Sequence, residues 1–118
     1  MQAVSTRRLL VALGWAWALA IVWLSVTTSP PTIDVESGDK IGHLGSYGLL
    51  MLWFAMLYAR PRVQLAYAAG FVTMGIALEF VQRRLGYRDF EVLDMVADLL
   101  GVLLGWGATV LLAKFRRR

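Results

Sequence analysis

The chain has 118 residues, 58% of them hydrophobic and 17% charged, with a formal net charge of +4 and a mean hydropathy of +0.61. Soluble domains average about 45–50% apolar residues, and the excess here is gathered into long runs. The absence of cysteine leaves no thiol for a metal site or a lipid anchor.

In chain order, the first apolar run is Leu9–Val26, which carries no charge. Arg7 and Arg8 precede it, as they would a secretory signal. The run is long for a signal core, and "SVTTSPP" lacks the small-residue cleavage pattern, so an uncleaved helix is expected. Pro30 and Pro31 stop that helix and open a polar outer loop. The second run, Ile41–Ala59, contains only His43 as a group ionisable near neutrality. Asp39 is placed to cap it. "RPR" at 60–62 is a tight turn into the third run, Val63–Val81, whose one carboxylate is Glu79. A basic connection containing Gly86 leads to the fourth run, Val92–Ala113, with Asp94 and Asp98 near its start. Trp23 and Tyr58 fall at expected interfaces, whereas Trp15 and Trp106 lie too deep to anchor there.

A bilayer-crossing helix needs about 17–25 apolar residues. The expectation is therefore a single all-α domain, a bundle of four transmembrane helices spanning about 9–26, 41–59, 63–81 and 92–113. The rival, a soluble four-helix bundle, needs a polar face on each outer helix, and the first run offers none.

Basic residues in short loops orient such a bundle. With both termini cytoplasmic, eight of the twelve Lys and Arg fall inside, and four (Lys40, Arg83, Arg84 and Arg88) fall outside. All eight acids fall in outer loops or outer helix halves. The basic inner edge suits anionic lipid and gives no reason to expect nucleic-acid binding. An oligomer is compatible with this reading.

The polar groups align within helices. Asp39, His43 and Tyr47 are spaced i, i+4, i+8, with Ser46 beside them. Glu79 and Gln82 share a face near the end of the third helix. Asp94, Asp98, Gly101 and Gly105 form a narrow stripe on the fourth. Its glycines are small-xxx-small packing residues, which turns the two acids toward the same helix interface. All these groups share one depth, so one outward-facing polar cavity is expected, with Arg88 as bidentate partner to Asp94 or Glu79. A salt-bridge cluster that merely staples helix ends together is the plainer alternative.

At these residues the chain resembles the VanZ-like family of small bacterial membrane proteins. The resemblance lies in "DKIGHLGSY", "EFVQ" and "YRDFEVLDMVADLLG" and extends from Asp39 to Gly105. It matches the family's pattern at Asp39, Lys40, His43, Tyr47, Glu79, Gln82, Arg88, Asp94 and Gly101. The family more often has Asn where this chain has Asp98, so a required neutral amide would mean a protonated Asp98 or a different ligand. The resemblance implies a bacterial plasma membrane, a cell-envelope setting linked to resistance to the glycopeptide teicoplanin, and a lipid-linked wall precursor or glycopeptide as partner.

Three functions compete. The first is binding of a headgroup or wall-precursor moiety by Asp39, Lys40, His43, Tyr47, Glu79, Gln82, Arg88, Asp94 and Asp98. The second is a membrane hydrolase or transferase with His43 as general acid-base and carboxylates holding a divalent metal. However, no Ser or Cys nucleophile motif or known metal spacing is present and the local arginines oppose a cation, so no cofactor is expected. The third is a proton-linked transporter subunit using Glu79, Asp94 and Asp98, for which the inner half supplies few polar residues.

Overall fold

The structure, a computed structural model, describes residues 2–27, 38–86 and 92–116, with side chains from residue 5 in the first stretch and residue 40 in the second. The chain forms four α-helices, α1 (Gln2–Val26), α2 (Gly38–Leu57), α3 (Pro61–Leu85) and α4 (Val92–Arg116). Each exceeds its apolar run at one end or both, because polar flanks such as Arg7 and Lys114 continue the helix beyond the part that would meet lipid. Helix α2 instead closes at Leu57, two residues before the expected end, and Pro61 occupies the first turn of α3, where its missing N–H costs nothing. At about 1.5 Å per residue, α1, α3 and α4 are about 37 Å long and α2 about 30 Å. The hydrocarbon core of a bilayer is about 30 Å thick.

Three helices, α1 from Ser5, α3 and α4, are long and apolar enough to cross a membrane. Lys40, His43, Ser46 and Tyr47 in its first half keep α2 out of that set. Their outward surfaces are apolar: Leu9, Leu13 and Trp23 on α1, Leu65 and Phe80 on α3, and Leu103, Leu104 and Leu111 on α4 are all exposed. A soluble bundle would place polar side chains there.

Helices α2 and α4 form the most extensive pair, and both run from the same end of the bundle to the other. Helices α1 and α3 each run opposite to them, and α1 and α4 lie on opposite sides of the α2–α3 pair. Helix α2 is thus central. Leu50, Met51 and Phe54 are fully buried, and its exposed large apolar residues are the stripe Ile41, Leu49 and Met56.

Two interior regions result. In the half of the bundle holding the α2 C-terminus, aromatic rings fill the core. Phe54 stacks on Tyr67 at 4.6 Å between ring centroids, with Trp15 and Phe71 tilted against them. This gives Trp15 a packing role in place of an interfacial one. The Arg7 guanidinium lies 5.0 Å above the Tyr58 ring, joining the start of α1 to the end of α2. Tryptophan indoles bind α1 to α2 along its length: Trp53 Nε1 donates to Leu10 O at 2.8 Å and Trp17 Nε1 to Ser46 O at 3.2 Å. The opposite half holds the polar groups.

Candidate functional site

The polar site is positioned by the close approach of α2 and α4. A Cβ on Gly101 would lie 2.5 Å from Leu44 O, and one on Gly105 would collide with Gly48 O. The two backbones therefore touch along Gly48, Gly101 and Gly105, as small residues permit in lipid-embedded pairs. That contact fixes the register of the turns preceding it. In the two turns before Gly48, α2 presents His43 and Lys40; in the two turns before Gly101, α4 presents Asp98 and Asp94.

These four side chains interleave across the helix pair. Lys40 Nζ lies 2.7 Å from Asp94 Oδ1. His43 Nε2 lies 3.7 Å from Asp94 Oδ2, and His43 Nδ1 is 2.7 Å from Asp98 Oδ1. An ionised carboxylate only accepts hydrogen bonds, so Nδ1 is the donor to an ionised Asp98. The order Lys40, Asp94, His43, Asp98 places the imidazole between two carboxylates one helical turn apart. Asp98 is 2% exposed and Asp94 7%. Asp94 also lies in the first turn of α4, where the helix dipole favours negative charge.

Helix α3 closes the site. A Cβ on Gly75 would sit 2.6 Å from Asp98 Oδ2, so glycine leaves the space that the carboxylate fills. One turn further, Glu79 is 1% exposed. Its carboxylate is near enough to act electrostatically on both His43 and Tyr47, and Tyr47 is itself buried. Gln82 Nε2 donates to Ser25 O at 2.7 Å, fastening the end of α3 to the end of α1. At the close of α3, Gly86 takes a left-handed conformation, φ 81°, that ends the helix.

The structure thus brings together Lys40, His43, Tyr47, Glu79, Gln82, Asp94 and Asp98 at one end of the bundle. Gly101 and Gly105 lie at the α2–α4 contact, where the sequence places them. Two expectations fall elsewhere. The side chains of Asp39 and Arg88 lie outside the described residues, and Asp94 has Lys40 as its ion-pair partner. The backbone at Asp39 is already helical, since α2 begins at Gly38.

Sequence reasoning missed three residues. Gly48 supplies the α2 half of the helix contact, and its signal was a glycine one turn beyond the polar stripe. Ser25 supplies a carbonyl and no side chain, so nothing in its residue type marks it. Gln64, a lone amide near the start of an apolar span, was the readable signal of the three. Its Nε2 donates to Ala55 O at 3.0 Å and Tyr58 O at 2.9 Å, and its Oε1 accepts from Trp106 Nε1 at 3.0 Å. It caps the C-terminus of α2 and gives the deep Trp106 its partner.

Among the described residues no group of three or more His, Asp or Glu is arranged to hold a metal ion. Chemically, the site offers a carboxylate-oriented imidazole, further buried carboxylates and a lysine, a set that can exchange protons or bind a group bearing both signs of charge.

No family model matches the chain. No solved structure matches it. The chain is similar to the uncharacterized protein C11E3.10 of Schizosaccharomyces pombe, 37% identical over 89 residues that make up 73% of this chain and 55% of that protein. The chain spans about half the length of the curated relative it matches.

Proposed function

We propose that the chain is a four-span membrane protein, VanZ-like in kind, whose polar end holds the charged headgroup of a lipid or of a lipid-linked envelope precursor. The observation that carries this reading is the burial of Glu79 and Asp98, 1% and 2% exposed, beside His43 on three converging helices. Ionisable groups within a lipid-embedded bundle are expensive, about 2.5–3.5 kcal/mol each at mid-depth on insertion scales, and mark functional sites by default. Well-packed apolar residues would join the same helix ends as firmly. The mixture of carboxylates with Lys40 suits an occupant bearing an amine and an anion, such as a phosphoethanolamine headgroup.

Both termini are placed on the cytoplasmic side, with α2 as the fourth span. Arg7, Arg8, Arg60, Arg62, Lys114 and Arg116 gather at one end of the bundle, and Glu79, Asp94 and Asp98 lie toward the other. That asymmetry supports the orientation. The setting in a bacterial plasma membrane and the link to glycopeptide resistance rest on the VanZ-like resemblance. A headgroup occupant fits a bacterial membrane and a yeast membrane alike, which accommodates the similarity to the fission-yeast protein.

The test is retention of lipid by the purified full chain, read by native mass spectrometry. With phosphatidylethanolamine and phosphatidylcholine in equal supply, the chain is expected to keep the former, whose amine carries N–H donors. Glu79→Gln and His43→Ala, checked for intact helicity and monodispersity, are expected to lose that preference. Equal retention of both lipids by the unaltered chain would overturn the reading. In a teicoplanin-sensitive bacterial host, expression of the chain is expected to raise tolerance, and Glu79→Gln to abolish the rise.

A second reading is favoured by one geometric feature. Asp98 orients His43 through Nδ1, as a carboxylate orients a general base in nucleophilic enzymes. A hydrolase or transferase acting on a lipid-linked substrate would use Nε2 for the proton. In this structure Nε2 faces Asp94, which makes binding the better-supported reading.

A further inference from the structure

At the end of the bundle remote from His43, residues of the C-terminal turns of α2 and α4 and the start of α3 line a half-open cavity of about 460 Å³. Binding sites for small molecules commonly measure about 300–1,000 Å³. Its wall is formed by apolar side chains, among them Ala55, Met56, Val110 and Leu112. Two polar side chains reach the wall, and both are already engaged. Gln64 spends its amide on Ala55 O, Tyr58 O and Trp106 Nε1, and Thr109 Oγ1 donates to Gly105 O at 3.0 Å. The remaining lining groups with chemistry to offer are Lys114 and Arg116, in the last turn of α4.

The helix dipole accounts for cations at the end of α4, but it does not account for a cavity between the helices beside them. An apolar wall under a cationic mouth, without a carboxylate in the lining, selects an amphiphile with an anionic head. Among the described lining residues there is no carboxylate or imidazole to hold a metal cation, and a free anion would leave the apolar wall unused. Basic pockets between helices at this kind of membrane edge suit anionic headgroups.

We propose that this cavity binds one anionic phospholipid, its phosphate between Lys114 and Arg116 and the start of an acyl chain along Met56, Val110 and Leu112. The site is distinct from the polar cluster of His43 and independent of what that cluster holds.

The test uses the purified full chain and native mass spectrometry with phosphatidylglycerol and phosphatidylcholine as probes. One phosphatidylglycerol is expected to bind at concentrations where phosphatidylcholine does not. Removing both cations, in K114Q/R116Q, is expected to weaken that binding about 10- to 30-fold, at roughly three- to fivefold per cation. A matched change of charge away from the cavity, R8Q/R84Q at exposed positions, is expected to weaken it less than threefold. Ala55→Trp, which fills the cavity and leaves the cations in place, is expected to abolish the one-lipid adduct. Equal binding of the two lipids, equal losses in the two charge variants, or an undiminished adduct in Ala55→Trp would each overturn the proposal. Because K114Q/R116Q alters exposed positions only, its result stands even if Ala55→Trp fails to fold.

Discussion

His43 Nδ1 and Asp98 Oδ1 lie 2.7 Å apart although 55 residues of chain separate them. The bond ties the first half of α2 to the first half of α4 at the one end of the bundle where Glu79 and Asp94 are also buried. Its geometry makes Asp98→Asn and Asp98→Leu informative. Asparagine keeps an oxygen to accept from Nδ1, so Asp98→Asn is expected to cost less than about 1 kcal/mol. Leucine leaves the imidazole donor unsatisfied and crowds the space beside Gly75, and is expected to cost about 2 kcal/mol or more. A double-mutant cycle on His43→Ala and Asp98→Ala should give a coupling of about 0.5–2 kcal/mol, the range for polar pairs in membrane proteins. Unfolding equilibria in mixed micelles measure all of these, and zero coupling would remove the bond as a stabilising contact.

Gly105 and Gly107 are both in α4, yet they should respond oppositely to alanine. A Cβ at Gly105 collides with the α2 backbone at Gly48, whereas one at Gly107 meets nothing within 4 Å. Gly105→Ala is expected to destabilise by about 1–3 kcal/mol, since backbone cannot move aside as a side chain does. Gly107→Ala is expected to be neutral or to stabilise by up to about 1 kcal/mol through helix propensity. Thermal denaturation of the two variants side by side decides it; equal shifts would mean that the two backbones do not touch.

Gln64→Leu removes an amide that serves two α2 carbonyls and one indole. Each buried group left without a partner costs about 1–3 kcal/mol. The substitution is therefore expected to lower the melting temperature and to shift the emission attributable to Trp106, assigned by comparison with Trp106→Phe. Unchanged emission would show that the indole does not depend on Gln64.

The natural lack of cysteine allows direct tests of the fourth span. Arg62 and Arg84 are exposed, one beside the start of α3 and one beside its end. With α2 crossing the membrane and the N-terminus inside, Arg84→Cys in intact cells should react with an impermeant maleimide. Arg62→Cys should react only after permeabilisation. The reverse pattern would mean that α2 enters and leaves on the same side or that the whole bundle is inverted, and labelling of a cysteine placed before α1 separates the two.

The polar stripe was legible because it is a property of single helices. Asp94, Asp98, Gly101 and Gly105 repeat at helical spacing, as do Lys40, His43 and Tyr47 in their own helix, and lipid leaves such groups only one another to face. Partner choice across helices was less legible. The sequence offered Arg88 as partner to Asp94 or Glu79, a pairing that falls outside the described residues. It did not signal the Lys40–Asp94 pair, which depends on the α2–α4 register at Gly48. That register depends on which glycine docks, and α2 offers Gly42, Gly45 and Gly48. The expected spans were apolar runs, and the helices reach past them. Apolar runs mark where lipid begins, while the backbone hydrogen bonding of α1 and α4 continues into charged residues that water can solvate.

The central place of α2 bears on how the protein is made. This helix carries a lysine, an imidazole and a phenol in its first half, and its carbonyl ends at Ala55 and Tyr58 are capped by Gln64 of the segment synthesised after it. The acids that face those groups, Asp94 and Asp98, emerge from the ribosome later still. Until α4 arrives, the lysine and imidazole lack Asp94 and Asp98, their partners at 2.7 Å in the finished bundle, and Glu79 of α3 is the carboxylate already made. If α2 crosses the membrane, its polar first half is best served by delayed release from the insertion machinery, with the arrival of α4 completing its ion pairs.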